Sequence, residues 1–508
     1  MSRKNGGIIG PANTPVGGLM SGVAGGVWRM NDVLDFVSNS QWPSAPQNIE
    51  NATRFDDGSS DNLSRTLGTA TNRKKFTLSF WIKKTVNGVH SPIIECASGG
   101  GSIGGTENAA QIYFNTSDQL TWFETHSGAV INLSTNAVFR DNSAWYHIMY
   151  AIDTTQGTNT NRLKLYVNGV QETSFTSGSG TYPSENLESY INSNQDATYI
   201  GRSRYSNKYF DGYMAEFVLV DGTTAVQTDL GETNSTTGLW TPRKIGAQFA
   251  TVGTNTFYLD FKDSSNLGND ASGKSNDFTV NNLTSTDQTT DTCVENFATL
   301  QPNLGPRYST QTFSNGNLSV SGGSGFEFHP STIGMTSGKY YFEAKITTLT
   351  NYPSVGIIAS HQFETNNQDA QSNSQGYVMH FNGQFNNGGV VSYTGTAMSA
   401  GDIIMIAFDS GNGVIWFGLN GTWQKSATQS EIEAGTTTNA IFTNITNAGS
   451  DSYHFLVQNY GSAWDANFGN PPFSISSGNS DANGFGNFEY SVPSGYYALN
   501  TSNLNTYG

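Results

Sequence analysis

The sequence predicts an all-β protein built from two tandem antiparallel β-sandwiches behind an extended, glycine-rich N-terminal arm. Apolar and polar residues alternate at residues 76–82 (FTLSFWI), 163–167 (LKLYV) and 341–346 (YFEAKI), which is the pattern of a half-buried strand. Asn-Gly pairs such as those at 87–88 and 412–413 separate these runs and favour tight hairpin turns. We find no long window with the helical period of about 3.6 residues. Many short strands joined by tight turns are typical of sandwiches.

Composition excludes several classes of protein. The chain has 508 residues, of which 13% are charged and 12% aromatic, and its formal net charge is −16. Disordered chains are rich in charge and poor in aromatics, so a folded protein is expected. The acidic balance argues against binding to nucleic acid or to an anionic membrane surface, since both need clustered basic residues.

The lack of a recognisable targeting signal and the cysteine pattern predict an intracellular origin. No stretch approaches the roughly 20 apolar residues of a membrane span, and the N-terminus has no apolar run of signal-peptide length. The cysteines Cys96 and Cys293 lie far apart in the sequence and form no zinc pattern. We interpret them as isolated thiols of a protein made in a reducing cytoplasm.

Composition shifts divide the chain. The first residues are rich in glycine and have little of their own to bury; they form either a flexible leader or an arm that docks on a partner. A polar stretch near residue 285 without a strand pattern is interpreted as a linker. The predicted parts are an arm at 1–44, a first sandwich at 45–280, a linker at 281–294, a second sandwich at 295–497 and a tail at 498–508. The anchors of the arm would be Ile8, Ile9, Val27, Trp28 and Val33.

The first unit resembles laminin-G-like domains of the concanavalin A-like type. The matching stretches are residues 76–83 (FTLSFWIK), 145–148 (WYHI), 163–169 (LKLYVNG), 199–202 (YIGR) and 210–217 (FDGYMAEF), in the order of that family. The resemblance implies a jelly-roll sandwich. In the last stretch we expect Phe210, Tyr213 and Phe217 to pack inward.

The second unit resembles SPRY domains. The matching stretches are residues 338–343 (GKYYFE), 355–357 (VGI), 401–409 (GDIIMIAFD), 414–423 (VIWFGLNGTW) and 467–473 (NFGNPPF). The resemblance implies another concanavalin-like sandwich, one that binds partners through its edge loops, usually without catalysis.

The combination of both sandwiches with the arm resembles bacteriophage tail-fibre and virion surface proteins. The phrases GGIIG at 6–10 and GVW at 26–28, with TCVENFATLQP at 292–302 and GYYALNTSNL at 495–504, support this kinship. It implies location in the virion, other virion proteins as partners and a homo-oligomer, by resemblance a trimer.

Chemical motifs are absent from the sequence, so no catalytic residue is predicted. Retaining glycosidases use two carboxyl groups about 5–5.5 Å apart. A strand with the pattern E-x-D-x-E would place carboxyl groups on one face, and no such strand occurs in the sequence. No His pair has H-E-x-x-H spacing, and the sequence identifies no metal ligand. A structural Ca²⁺ remains an alternative at the oxygen-rich loops 56–57 and 260–270.

Aromatic residues in the rim loops are the candidate contacts with a glycan or a protein partner. They are Trp122, Tyr205, Tyr209, Tyr352 and Trp464. For each, the alternative is a place in the core, because aromatic side chains bury large apolar areas. The predicted function is a virion adhesin, with a purely architectural protein or a polysaccharide depolymerase as alternatives.

Overall fold

Antiparallel strands make up almost all of the regular structure. The computed structural model describes residues 49–97, 108–176, 180–204, 206–234, 237–243, 245, 252–302, 311–363, 369–446 and 452–508. These residues form two units, each with two large sheets face to face, which confirms the all-β prediction. In the described ranges no helix is long and apolar enough to cross a membrane.

The first unit holds the strands from β1 to β19. Their bounds are β1 (Ala52–Phe55), β2 (Asn62–Thr66), β3 (Lys75–Lys84), β4 (Ser91–Ala97), β5 (Ala109–Phe114), β6 (Gln119–Thr125), β7 (Ala129–Val138), β8 (Tyr146–Asp153), β9 (Leu163–Val167), β10 (Val170–Glu172), β11 (Ala197–Ile200), β12 (Arg202–Ser203), β13 (Lys208–Tyr209), β14 (Gly212–Asp221), β15 (Gly231–Thr233), β16 (Trp240–Pro242), β17 (Phe257–Leu259), β18 (Thr279–Asn281) and β19 (Gln288–Thr289).

Two sheets of the first unit enclose its core. One has the order β10-β9-β8-β3-β14-β1-β19, with β17 also paired to β14, and the other has the order β18-β2-β11-β4-β5-β6-β7. The alternation predicted at 76–82 is present in β3, where Phe76, Leu78, Phe80 and Ile82 all face the core. The sandwich therefore forms because one face of each sheet is apolar.

The second unit repeats the arrangement. Its strands are β20 (Gln311–Ser314), β21 (Ser319–Gly322), β22 (Glu327–Pro330), β23 (Lys339–Thr348), β24 (Ser354–Ala359), β25 (Gly376–His380), β26 (Gln384–Asn387), β27 (Val390–Thr394), β28 (Ile403–Asp409), β29 (Val414–Leu419), β30 (Thr422–Trp423), β31 (Tyr453–Asn459) and β32 (Ala463–Asn467). The sheets have the orders β20-β21-β32-β23-β28-β29-β30 and β22-β31-β24-β25-β26-β27.

Two short helices lie in the second half of the chain. Helix α1 (Gln429–Ala434) begins with a capping box at Thr428 and ends at Gly435, whose φ is 70°. Helix α2 (Thr501–Tyr507) lies in the predicted tail and is capped by the Asn500 side chain. Stacking of Tyr507 on Tyr497, with ring centroids 3.8 Å apart, holds α2 against the second unit.

The segment predicted as a linker, residues 281–294, packs on the first unit. Strand β18, which ends at Asn281, pairs with β2, and β19 pairs with β1. Beyond β19, the Asp291 carboxylate is fully buried and forms an ion pair with Lys83 of β3. The connection between the units is thus held by strand pairing and by a buried charge pair.

A tight turn of the second unit contacts the first unit directly. Residues 315–317 all have positive φ, and Tyr213 Oη donates to the carbonyl of Gly316 at 2.9 Å. The Asn317 side-chain amide donates to the carbonyl of Thr85 at 3.0 Å, and the Asn315 amide donates to Asp56 Oδ2 at 3.0 Å. A side chain at Gly316 would lie 2.3 Å from the Tyr213 hydroxyl, so the contact requires glycine there.

Candidate binding surfaces

Two of the predicted surface aromatics belong to the cores. Trp122 lies between Phe76 and Tyr150, at centroid distances of 6.3 and 5.0 Å, and its Nε1 donates to Glu124 at 3.3 Å. Trp464 is fully buried and its Nε1 donates to the carbonyl of Gln458 at 3.0 Å. Their prediction as rim contacts is wrong, because both occupy inward positions of strands β6 and β32.

Of the other candidate contacts in the first unit and the arm, only Tyr209 lies within the described residues. Tyr205 lies outside the described residues, as do Ile8, Ile9, Val27, Trp28 and Val33 of the arm. Tyr209 is half-buried, and the Arg202 guanidinium lies over its ring at 5.4 Å and over that of Tyr199 at 5.3 Å. An arginine therefore already covers part of the Tyr209 ring.

Tyr352 lies at the centre of a group of aromatic rings, in which its own ring is exposed and the other three are half-buried. Its side chain is 47% exposed. Its ring centroid lies 5.9 Å from that of Phe326, 5.7 Å from that of Phe381 and 6.1 Å from that of Tyr460. We call Phe326, Tyr352, Phe381 and Tyr460 the aromatic platform.

Sheet topology brings the platform together. Strands β22, β31, β24 and β25 are neighbours in one antiparallel sheet. Phe326 precedes β22 and Tyr352 precedes β24, whereas Tyr460 follows β31 and Phe381 follows β25. Since neighbouring strands run in opposite directions, all four residues lie at the same end of the sheet. Sequence reasoning finds Tyr352 but misses Phe326 and Phe381, whose only signal is a position just outside a strand.

Hydrogen bonds between loops hold the platform in place. Asn351 Nδ2 donates to the carbonyl of Tyr460 at 3.0 Å. Thr350 Oγ1 donates to the carbonyl of Gly461 at 2.6 Å, and the Thr350 amide donates to Ser462 Oγ at 3.1 Å. The loop bearing Tyr352 is thereby tied to the loop bearing Tyr460, so the rings are arranged before any ligand binds.

His380 forms the base of the platform. Its ring stacks parallel to Tyr352 at 6.1 Å and meets Phe381 edge-on at 4.7 Å. Its Nδ1 is 2.9 Å from Ser354 Oγ. Burial lowers the pKa of His380, so the imidazole is neutral at pH 7 and the platform presents uncharged rings.

An acidic cluster lies at the predicted calcium loop 56–57. Several of its oxygens accept hydrogen bonds from this chain, whereas Asp61 Oδ1 is buried without a hydrogen-bond partner among the described residues. Asp56 accepts from the amides of Gly58 and Asn315 at 2.8 and 3.0 Å, and Asp61 Oδ2 accepts from the Asp56 amide at 3.0 Å. Burial raises the pKa of Asp61 to about 7. Within the described ranges no group of three or more His, Cys, Asp or Glu side chains could hold a metal ion.

In the second loop predicted to bind calcium, 260–270, the carboxylates also accept hydrogen bonds from backbone amides of this chain. Asp263 accepts from the amide of Ser265 at 2.9 Å, and Asp270 accepts from the amides of Tyr258 and Asn276, each at 2.8 Å. These are turn and loop contacts. Calcium at either loop stays a prediction.

The buried carboxyl groups with raised pKa serve the scaffold. Burial raises the pKa of Glu343 and of Glu216 to about 7. Glu216 accepts from Tyr258 Oη at 2.6 Å, and Glu343 accepts from Tyr341 Oη at 2.9 Å. Both are almost completely buried, so neither is placed to reach a polysaccharide.

Two cavities open beside the junction of the units. The smaller, of about 430 Å³, lies between β19 and the loop of Asn470. The larger, of about 1060 Å³, we call the tryptophan groove. Its apolar lining comprises Trp81, Trp145, Val170, Leu239, Trp240 and Val294. Among the lining residues that the structure describes, neither cavity has an Asp, Glu, Lys or Arg.

Comparison with known proteins supports the fold. A laminin G-type family model, described as the concanavalin A-like lectin/glucanases superfamily, matches residues 57–228. That stretch of the first unit therefore resembles this superfamily, as its sequence motifs predict. No curated protein matches the chain.

Similar solved structures cover parts of the chain. The SPRY domain of human HERC1 is 18% identical with a TM-score of 0.27, covering 33% of this chain and 96% of that one. Stonustoxin is 17% identical with a TM-score of 0.26, covering 34% of this chain and 27% of that one. A protein of Bacteroides ovatus ATCC 8483 named as carbohydrate binding is 18% identical with a TM-score of 0.29, covering 47% and 62%. At these scores the structures carry no argument about function.

Proposed function

We propose that the protein is a binding protein that recognises a glycan through the aromatic platform and does not cleave it. The observation that carries the proposal is the exposed ring of Tyr352 amid three further aromatic rings, with a loop held by hydrogen bonds. An arranged, uncharged aromatic surface is suited to the apolar faces of sugar rings. The hydroxyl groups of Tyr352 and Tyr460 and the Asn351 side chain supply polar contacts at its edge.

The chemistry of the cavities supports binding without catalysis. A glycosidase of this superfamily would place two carboxyl groups on either side of the bond that it cleaves. In the part of the chain that the structure describes, no carboxylate lines either of the two cavities beside the junction, and Glu216 and Glu343 are buried. The lectin/glucanases match of residues 57–228 is consistent with a carbohydrate ligand.

The setting that we propose is the surface of a bacteriophage particle. Residues 1–44 would dock the protein on other virion proteins, the assembly would be a homo-oligomer, and the platform would contact the host glycan. Support comes from the sequence resemblance and the glycine-rich arm alone. Deleting residues 1–44 tests docking: incorporation into particles should be lost, and normal incorporation of the truncated chain contradicts it.

Substitution of Tyr352 tests the glycan proposal. The binding assay uses an immobilised panel of neutral bacterial polysaccharides. Replacing a stacked aromatic side chain by alanine costs about 1–3 kcal/mol of binding free energy, so we expect Tyr352→Ala to weaken binding about tenfold or more. Thermal stability should be unchanged because the side chain is half exposed. The matched control is Tyr209→Ala, whose ring is already covered by Arg202.

Three outcomes contradict the proposal. Binding that survives Tyr352→Ala excludes the platform as the site. Binding that is lost in Tyr209→Ala but kept in Tyr352→Ala places the site on the first unit. Release of reducing ends from a bound polysaccharide identifies a depolymerase.

A further inference from the structure

The tryptophan groove presents an apolar surface that the described residues leave uncovered. Val170 and Leu239 on its wall are 72% and 65% exposed. Exposed apolar patches of this kind mark interaction sites in soluble proteins.

The indole groups of the groove have their polar atoms satisfied from within the protein. Trp145 Nε1 donates to Asp291 Oδ1 at 3.2 Å, and Trp240 Nε1 donates to His147 Nδ1 at 2.9 Å.

Trp81 is 4% exposed, and Gly169 and Gly231 lie so close to the Trp240 ring that a Cβ at either position would be 2.4 Å from it. The rings of Trp81 and Trp240 are therefore largely covered by this chain, and Val170 and Leu239 supply the exposed apolar contact. The described lining residues carry no charge and include Ser, Thr and Asn side chains, so the groove suits an uncharged segment that has both apolar and polar side chains.

The N-terminal segment enters the described structure beside this groove. Ile49 is 3% exposed and belongs to a buried cluster with Trp81. Trp145, Trp240 and Val294 of the groove pack against the same cluster. The 48 residues before Ile49 therefore continue from the base of the groove.

The chain just before Ile49 has a matching composition. Residues 36–48 read FVSNSQWPSAPQN and contain no charged residue. Trp42 precedes Ile49 by seven positions, a reach of up to roughly 25 Å at about 3.5 Å per residue. The prolines at 43 and 46 reduce the conformational entropy lost when the segment is fixed.

We propose that residues 36–48 bind in the tryptophan groove of their own chain, with Phe36 and Trp42 covering Val170 and Leu239. The burial of these apolar groups provides the free energy of the contact.

Limited proteolysis of the full chain by chymotrypsin tests the proposal. Cleavage after Phe36 should be slow in the wild type, whereas cleavage after Trp28, outside the seated segment, serves as the internal reference. In Val170→Glu/Leu239→Glu, we expect the Phe36-to-Trp28 ratio of cleavage rates to rise about tenfold, equivalent to about 1.4 kcal/mol of lost protection. Both side chains are exposed, so the substitutions should not affect folding. Val390→Glu, at a residue 66% exposed on the second unit, should leave the ratio unchanged.

The Cys293 thiol lines the groove and provides a second measurement. Cys96 is fully buried in the first core, so iodoacetamide should modify Cys293 first. We expect Trp42→Ala and a chain lacking residues 1–48 to be alkylated at Cys293 several-fold faster than the wild type at the same pH. Trp28→Ala should match the wild type.

The proposal is wrong if Val170→Glu/Leu239→Glu leaves the ratio of cleavage rates unchanged. It is also wrong if Trp42→Ala leaves the rate of Cys293 alkylation unchanged. Protection that rises with protein concentration, together with a dimer in solution, assigns the groove to the arm of a second copy and also overturns it.

Discussion

Glu343 illustrates how single buried carboxylates attach loops to the sheets. Its two oxygens accept from Tyr341 Oη at 2.9 Å, Asn467 Nδ2 at 3.1 Å, and the amides of Glu489 and Tyr490 at 2.9 and 2.8 Å. The segment after β32 is thereby held on the outer face of β23. Sequence reasoning assigns Glu343 no role, because three of its four partners, Asn467, Glu489 and Tyr490, lie more than 120 positions away in the chain.

Replacement of Glu343 should change how stability depends on pH. Burial raises the pKa of this carboxyl from 4.5 to about 7, so the folded state holds a proton that the unfolded state releases between these values. The contribution to stability is therefore present at low pH and lost as the pH rises through about 7, at up to about 1.4 kcal/mol per pH unit. Glu343→Gln has no such proton. Urea denaturation from pH 5 to 8 should show the free energy of unfolding of the wild type falling relative to that of Glu343→Gln.

The control for this experiment is Glu188→Gln. Glu188 is exposed and makes only a surface ion pair with Arg73, which contributes little. Its pH curve should run parallel to that of the wild type. A Glu343→Gln curve that is also parallel would show that the buried carboxyl does not titrate in this range.

At the scale of elements, strand β14 shows how one irregular residue changes which side chains face the core. Its pairing with β3 shifts between Ala215 and Val218, and Glu216 between them has a φ of 51°. This bulge reverses the alternation. Met214 and Phe217 both face the first core, whereas Tyr213 faces Lys83 at 4.5 Å and the second unit. Phe210 and Phe217 pack inward as predicted; the expectation for Tyr213 is wrong because the bulge is not visible as an alternation in the sequence.

Gly212, at the start of β14, should not tolerate a side chain. Its φ is 145°, and a Cβ would lie 2.2 Å from the carbonyl oxygen of Lys83. We expect Gly212→Ala to lower the free energy of unfolding by about 3 kcal/mol, through backbone strain and displacement of β3. Gly157→Ala, at an exposed loop position with no atom within 4 Å, should change it by less than about 0.5 kcal/mol. Urea denaturation measures both, and equal stabilities for the two variants would contradict the prediction.

At the scale of the whole molecule, the two sandwiches are joined through a buried ion pair. Lys83 and Asp291 are both completely buried and contact each other. Lys83 Nζ also donates to Asn296 Oδ1 at 2.9 Å, and Asn296 Nδ2 donates to the carbonyl of Ser143 at 2.8 Å. Burial lowers the pKa of Lys83 and raises that of Asp291, while their mutual attraction opposes both shifts. The connection between the units thus depends on each charge having its partner.

Removing one charge of this pair should be more harmful than removing both. We expect Lys83→Met to lower the free energy of unfolding by about 3 kcal/mol, because Asp291 is left buried without a counter-ion. Lys83→Met/Asp291→Leu should recover most of that loss, since apolar groups need no counter-ion. Lys75 lies on β3 like Lys83 and forms a partly exposed ion pair with Asp153 at the end of β8. Lys75→Met should therefore lower the free energy of unfolding by less than about 1 kcal/mol. Denaturation of the three variants checks this, and a double variant less stable than Lys83→Met would disprove it.

Local patterns in the sequence are enough to predict the fold class and much of the strand pattern. Alternation in β3 and the β28–β29 hairpin are local properties, because a half-buried strand needs one apolar face and a hairpin needs residues that tolerate its turn. The sequence predicts Tyr352 as a surface contact; its side chain is 47% exposed, and its role as a contact stays a prediction.

Which aromatic side chains meet, and where they lie, depends on the tertiary structure. Phe326, Tyr352, Phe381 and Tyr460 are distant in sequence and come together because four neighbouring antiparallel strands begin or end at one edge. Trp122 and Trp464 are also predicted as surface contacts, but they lie on inward positions of their strands. Long-range pairing and register set these positions, and a one-residue shift in register exchanges the core face for the solvent face.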